Sequence, residues 1–413
     1  MLERSLIEAV YAGLSGQGRF MRPGRTGLMF AFCAAILSAC AMEPRTPFTE
    51  ADQMAAIPIV AKNIRYWADA PESVFQNAAR RAVVQKGSPF IYLALSGGGG
   101  GGAYGAGVLN GWTDSGKRPQ FTVVSGVSIG ALIAPFAFLG PAYDDRLRKI
   151  YTNGDAERLI LDPNPLGAIF GAGLFGRERL RELVERDIDD DLIRAIGAED
   201  GKGRRLLVVT TDLDAQRAVI WDLGAIAAIG GSNAFKLFRD VLAASASLPV
   251  VFAPQLIDVE ANGRKFQEMH VDGAVTIPVF TLPDMFLLGG KTIASSGPRP
   301  DLYVIVNSRI DAGFEVVPNQ TLAVASRSLS TVNRVGTQAA LAQTYKFAER
   351  SGVSFHLTYV GKDAPETGAT GFETAAMRQL YDYGYAKGRT GSFWEAKLPQ
   401  IEKAVDAAKT AER

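Results

Sequence analysis

Histidine is nearly missing from this chain: of its 413 residues, only His270 and His356 carry an imidazole. A mechanism built on a histidine base therefore has two positions to choose from. Cysteine is equally scarce, and both copies, Cys33 and Cys40, fall in the first tenth of the sequence. Disulfide frameworks, zinc clusters and a cysteine nucleophile are thereby excluded from the remainder. Charge of one sign is also lacking, since 44 basic and 43 acidic residues leave a net charge of +1 with no long like-charged run. Nothing here calls for a nucleic-acid partner, and no metal and no cofactor are expected. What remains is an ordinary globular composition, 47% apolar and 21% charged. The length suits one large α/β domain with extensions or two modest ones.

The N-terminus reads as an address. "MRPGRTGLMFAFCAAILSAC" (21–40) places Arg22 and Arg25 before an apolar run from Leu28 to Leu37. This is a positive n-region followed by an h-region too short to span a bilayer comfortably. It ends in Leu37-Ser38-Ala39-Cys40, which resembles the bacterial lipobox, where cleavage precedes a lipid-modified cysteine. Residues 1–39 are thus expected to be a lipoprotein signal peptide, with Met1 or Met21 as the start. Lipidated Cys40 would then be a membrane anchor. The polar, proline-containing "AMEPRTPFTEADQ" that follows reads as a tether, within an N-terminal tether and helical segment over 40–89.

From there strands and helices alternate. Residues 90–95 read as a buried strand, and "GAYGAGVLNGW" as a helix with small residues on one face. "FTVVSGVSIGALIAPFAFLG" repeats the plan: a strand over 121–125, a sharp glycine turn and an apolar helix over 128–139. "RRLLVVTTDLD" and "AVIWDL" are strands, and "SNAFKLFRDVLAASAS" is a helix with Ser232 or Asn233 as N-cap. "QLIDVEANGRKFQEMHVDG" is a hairpin turning at Asn262-Gly263. "DLYVIVNSRI" and "VSFHLTYVG" are further strands, and 320–349 and 372–389 long helices. This order predicts an α/β fold: a three-layer α/β/α arrangement around a mainly parallel sheet.

Three motifs carry chemistry. Six glycines, 97–102, stand between a strand and a helix. Bare backbone there lets amides approach negative charge, either a bound phosphate or the oxyanion of acyl transfer. A nucleotide reading finds no Gly-Lys-Ser/Thr and no phosphate-coordinating lysine. The second motif, Gly126-Val127-Ser128-Ile129-Gly130, has the form of a nucleophile elbow, with Ser128 at a helix N-terminus. The third is Asp272-Gly273-Ala274 at the end of a strand.

In order and spacing these motifs resemble the patatin-like phospholipase family, whose members carry G-G-G-x-R-G, G-x-S-x-G and D-G-G/A. "LALSGGG" with "GAYGAGVLNGW" is especially similar to its bacterial lipoprotein members. "VLAASASLPVVFAP" looks like the family's segment just before the aspartate. The resemblance covers about 90–285, leaving 286–413 as a C-terminal α/β extension on the same core. It implies a patatin-like fold with an elbow and an acyl hydrolase acting on lipid or phospholipid esters. Ser128 would be the nucleophile, Asp272 the base, and Gly97, Gly98 and Gly99 the oxyanion hole. Gly102, Gly126, Gly130, Gly273 and Ala274 complete the motifs.

One departure is plain: Gly101 stands where the family has arginine. Gly101→Arg is therefore expected to preserve activity, and Gly98→Pro to abolish it by removing an amide donor. His356 offers a rival Ser-His-Asp triad, but it sits inside an alternating strand. His270, two residues before Asp272, shares that residue's face and could tune the site. A non-catalytic, lipid-binding envelope protein is a further alternative. "DPNPLGAIFGAGLFG" (162–176) exposes Ile169, Phe170, Leu174 and Phe175 as a lid or membrane contact, unless these residues pack in the core. The expected place is the bacterial cell envelope, as a lipoprotein anchored at the outer membrane.

Overall fold

Apolar, β-branched runs become twelve strands among the described residues of this computed structural model: 45–79, 81–82, 89–160, 173–288, 298–365 and 372–399. β1 (Ile57–Pro58) and β2 (Arg65–Trp67) precede β3 (Ile91–Leu95) and β4 (Val123–Val127). β5 (Gly173–Phe175) is followed by the hairpin of β6 (Arg205–Asp212) and β7 (Arg217–Asp222). Next come β8 (Val250–Phe252), β9 (Gln255–Ala261) and β10 (Arg264–Asp272), then β11 (Asp301–Val306) and β12 (Ser354–Tyr359). Ten strands make one sheet in the order β1-β9-β10-β6-β4-β3-β11-β12, with β7 pairing to β6 and β2 to β7. Its centre, β6-β4-β3-β11-β12, is parallel. The strands added on the β6 side are antiparallel.

Parallel strands are covered on both faces, and β3 shows how. Leu93 and Leu95 enter one buried cluster with the helix Gly102–Asp114. Tyr92 and Ala94 enter another, against Leu341 and Tyr345 of the helix Thr321–Ser351. Each fully buried leucine contributes roughly 2 kcal/mol, so the alternation of this strand fixes the three-layer α/β/α order. The helix Thr374–Arg389 then lies directly on Gly102–Asp114, backbone to backbone. A Cβ on Gly107 would stand 2.1 Å from the Tyr381 carbonyl oxygen, and one on Gly384 2.3 Å from that of Tyr104. The small-residue face read from the sequence is therefore a helix–helix seam, and it steadies the helix that leaves the glycine run.

Several boundaries differ from expectation. The strand placed at 121–125 runs over Val123–Val127, because Gly126 pairs with both Leu95 and Val208. Two-sided pairing overrides the poor strand propensity of Ser125-Gly126. The helix assigned a Ser232 or Asn233 cap starts at Gly231 after Gly230, with no side-chain cap. The Asn262-Gly263 turn has φ of 52° and 74°, as a two-residue primed hairpin turn requires.

The segment read as a tether is docked from Phe48 on. Phe48 stacks on Phe266 with ring centroids 4.4 Å apart. Thr49 and Asp52 form a capping box on the helix Glu50–Met54, and Asp52 also accepts from Asn262 and Arg264. Polar residues that read as solvated are cap and hairpin partners. The described residues from Thr46 on belong to one compact unit. The signal segment and Cys40 lie outside the described residues, as do Ile169, Phe170 and the Leu174 side chain. Phe175 is buried in β5 against Phe252, ring centroids 5.6 Å apart, so it is core and not a membrane contact. No helix among the described residues is long and apolar enough to cross a membrane.

Candidate active site

β4 and β10 run toward each other along the same edge of β6. Val127 ends β4 opposite Val209, and Asp272 ends β10 opposite Thr210, the next residue of β6. The residue after β4, Ser128, therefore faces the last residue of β10. Ser128 Oγ donates to Asp272 Oδ2 at 2.6 Å.

The turn at Ser128 is strained, with φ 56° and ψ −126° on a non-glycine residue, worth on the order of 1–3 kcal/mol. Close packing holds it there. A Cβ on Gly126 would lie 2.4 Å from the Gly130 carbonyl oxygen, and one on Gly130 2.4 Å from that of Leu95. The Ser128 amide donates to Ser245 Oγ at 3.0 Å, and that hydroxyl donates to the Val209 carbonyl at 2.7 Å. Ser128 also stands at the N-cap position of the helix Ile129–Leu139, with no side-chain cap bond, and the N-terminal dipole there favours developing negative charge.

Asp272 is 1% exposed. Its Oδ1 accepts the Ala274 amide at 2.8 Å, and its own amide donates to the Ser247 carbonyl at 3.0 Å. Burial pushes its carboxyl up to about 7, against the opposing pull of the Ser128 hydroxyl and the Ala274 amide. A buried carboxylate titrating near neutrality, bonded to a partly accessible hydroxyl, is matched to general-base work. Gly273 and Ala274 form a short 3-10 turn after it.

The glycine run divides its tasks. The Gly97 amide donates to the Pro278 carbonyl at 3.0 Å, so it is not a free oxyanion donor, contrary to expectation. Its role is closeness: a Cβ there would come within 3.2 Å of Ser128 Cβ. The amides of Gly98 and Gly99 have no acceptor among the described residues, and Gly98 is exposed. Gly101 donates to the Gly98 carbonyl at 3.0 Å, and Gly102 opens the following helix. The geometry argues against the expectation for Gly101→Arg, because a Cβ on Gly101 would meet the Asn307 carbonyl oxygen at 2.0 Å. Gly98→Pro fails as a test for a related reason. At φ 154°, with that same oxygen 2.1 Å from a Cβ, the ring disrupts the loop whatever the amide does.

Neither histidine reaches the pair. His356 is level with Tyr303, Leu93 and Val124, three strands from β4, or about 14 Å laterally. It bonds to Asp301 at 2.9 Å and stacks on Tyr303. His270 bonds to Thr210 Oγ1 at 2.9 Å and to Glu268 at 3.3 Å. Asp212, Glu268 and His270 could offer ligand atoms within 4.8 Å of one another. Arg65, however, holds Glu268 through both oxygens, and Gln53 with the amides of Asp214 and Ala215 holds Asp212. Burial opposes the charge on Glu268, but the bonds from Arg65 and His270 outweigh it and hold the carboxyl down to about 2. With a guanidinium already inside it, the cluster is a closed ion network joining β2, β6 and β10.

Sequence reasoning missed Ser245 and Ser247. A serine closing an alanine-rich helix gives little signal, although "ASAS" just before the hairpin was the place to look.

A family model described as patatin-like phospholipase matches residues 93–283, the segment holding the glycine run, the elbow and Asp272. No curated protein matches the chain. Among solved structures, VipD from Legionella pneumophila is similar with a TM-score of 0.33 and 12% identity. That alignment covers 73% of this chain and 66% of VipD, just under two thirds of its length.

Proposed function

The chain carries a patatin-like phospholipase domain, and on that footing we propose that it is a serine lipid acyl hydrolase working through Ser128 and Asp272. As an ester carbonyl settles against Ser128, Asp272 Oδ2 takes the hydroxyl proton while Oγ bonds to the carbonyl carbon. The oxygen that gains negative charge is held by the amides of Gly98 and Gly99, aided by the N-terminus of the helix Ile129–Leu139. Collapse breaks the ester bond, and Asp272 returns the proton to the departing alcohol or lysolipid. Water then attacks the acyl-serine with the same carboxylate as base, releasing the fatty acid. The observation that carries this reading is the 2.6 Å bond from Ser128 to a buried Asp272. The test is fatty-acid release from phospholipid vesicles and from short-chain esters, wild type against Ser128→Ala. Turnover by the wild type alone supports it, and equal rates overturn it.

Lipidation at Cys40, with a place in the bacterial envelope, belongs to the same proposal. Its support is the Arg22/Arg25 n-region, the apolar run and Leu37–Cys40. An anchored enzyme would meet an interfacial substrate without diffusing to it.

A further inference from the structure

The peptide units that carry the Gly98 and Gly99 amides are each fixed from behind. A trans peptide points its C=O and N–H in opposite directions, and no described peptide bond here is cis. Whatever holds the Gly97 carbonyl therefore aims the Gly98 amide, and whatever holds the Gly98 carbonyl aims the Gly99 amide. The second is held by the Gly101 amide at 3.0 Å. The first is held by Ser96, whose hydroxyl donates to the Gly97 carbonyl at 2.7 Å.

Ser96 is held in turn. Its Oγ accepts the Asn307 amide at 2.9 Å, which leaves its hydrogen for Gly97, and its carbonyl accepts Asn307 Nδ2 at 2.8 Å. Both side chains are buried, at 1% and 0% exposure. Asn307 follows β11, beyond the matched segment, yet the glycine run is shaped around it. Cβ atoms on Gly98 and Gly101 would collide with its backbone oxygen, and one on Gly105 would lie 2.2 Å from Oδ1. That Oδ1 is buried without a hydrogen-bond partner among the described residues. Three glycines and an unpaired oxygen are a costly arrangement for packing alone.

Resting on the acyl-hydrolase reading, we infer that Ser96 and Asn307 are positioning residues that form a brace aiming the Gly98 amide at the transition-state oxyanion. Neither touches substrate. Misaiming an oxyanion donor lowers turnover without loosening ground-state binding.

The experiment compares wild type, Ser96→Ala, the isosteric Asn307→Asp and the double variant in ester hydrolysis. It also measures inhibition by a long-chain trifluoromethyl ketone, which makes a tetrahedral oxyanion on serine. The brace predicts kcat lower by about ten- to a hundredfold in each single variant, with KM within about threefold. Ketone affinity falls by the same factor as kcat/KM, and the double variant is no worse than the weaker single one. A merely structural role would lower the active fraction but leave the ketone affinity of the surviving sites unchanged. Should Ser96→Ala not fold, Asn307→Asp carries the same prediction. Folded variants with wild-type kcat and ketone affinity overturn the brace alone. A wild type without Ser128-dependent turnover overturns the hydrolase reading and the brace with it.

Discussion

Asp272 Oδ2 lies 2.6 Å from Ser128 Oγ, and among the described residues neither imidazole touches either group. The pair is a direct consequence of two strands meeting on one edge of β6. A proton leaving Ser128 has a carboxylate to go to, and no ring stands between.

If the two residues act as a unit, Ser128→Ala, Asp272→Asn and the double variant will be about equally inactive. His270→Gln with His356→Gln will keep turnover within roughly tenfold, because neither ring moves the proton. Ester hydrolysis by variants shown to be folded by circular dichroism decides it. An inactive His356→Gln beside an active Asp272→Asn would transfer the base role to the ring.

Asp272 is raised by burial, so its proton is on below about pH 7 and the base is unavailable there. Log kcat/KM will rise with pH through about 7 and level above it. A free histidine titrates at about 6.5, so such a limb cannot by itself tell the dyad from a triad. The His270→Gln/His356→Gln protein can, since the dyad keeps the limb there.

The same shift has a thermodynamic sign. A carboxyl raised from 3.8 to about 7 favours its protonated form in the folded state. Its contribution is fully present below about pH 4 and lost as pH rises to about 7. Asp272→Asn keeps the shape without the buried charge, so it will melt higher than wild type at neutral pH. The gap will be small at pH 4, grow to on the order of 4 kcal/mol by pH 7 and stay constant above. Thermal melts of both proteins across that range check it, and a gap that does not change with pH contradicts the buried charge.

Gly101 supplies a steric prediction. Gly101→Ala and Gly101→Arg will each lose at least about tenfold in turnover and about 1–3 kcal/mol in stability, because the Asn307 backbone cannot move aside cheaply. Activity and urea midpoints are the readouts. A fully active arginine variant would mean that this approach is looser than 2.0 Å implies.

The layered α/β order and the order of motifs were legible because they are local. The continuous apolar runs of β3, β4 and β6, the alternation in β9 and β10, the Asn262-Gly263 turn and the glycines around Ser128 are each set by neighbours in sequence. What stayed hidden depends on distant partners. Nothing around Gly97 says that its amide goes to Pro278, and nothing around Asn307 says that three glycines leave room for it. The docking of Phe48 and Asp52 was likewise hidden, because a polar cap and a solvated tether have the same composition. Cys40 remains a sequence expectation, to be checked by mass spectrometry of the mature N-terminus. An unmodified peptide spanning Ala39 and Cys40 would contradict it.

The most direct measurement is the rate at which a fluorophosphonate modifies Ser128, followed by peptide mass from pH 5 to 9 in wild type, Asp272→Asn and His270→Gln/His356→Gln. The dyad predicts an adduct on Ser128 whose rate rises through about pH 7 in wild type and in the histidine-free protein alike. In Asp272→Asn that rate falls by at least about a hundredfold and loses its rise. An adduct that forms at the wild-type rate in Asp272→Asn, or disappears when the histidines are replaced, would contradict Asp272 as the base.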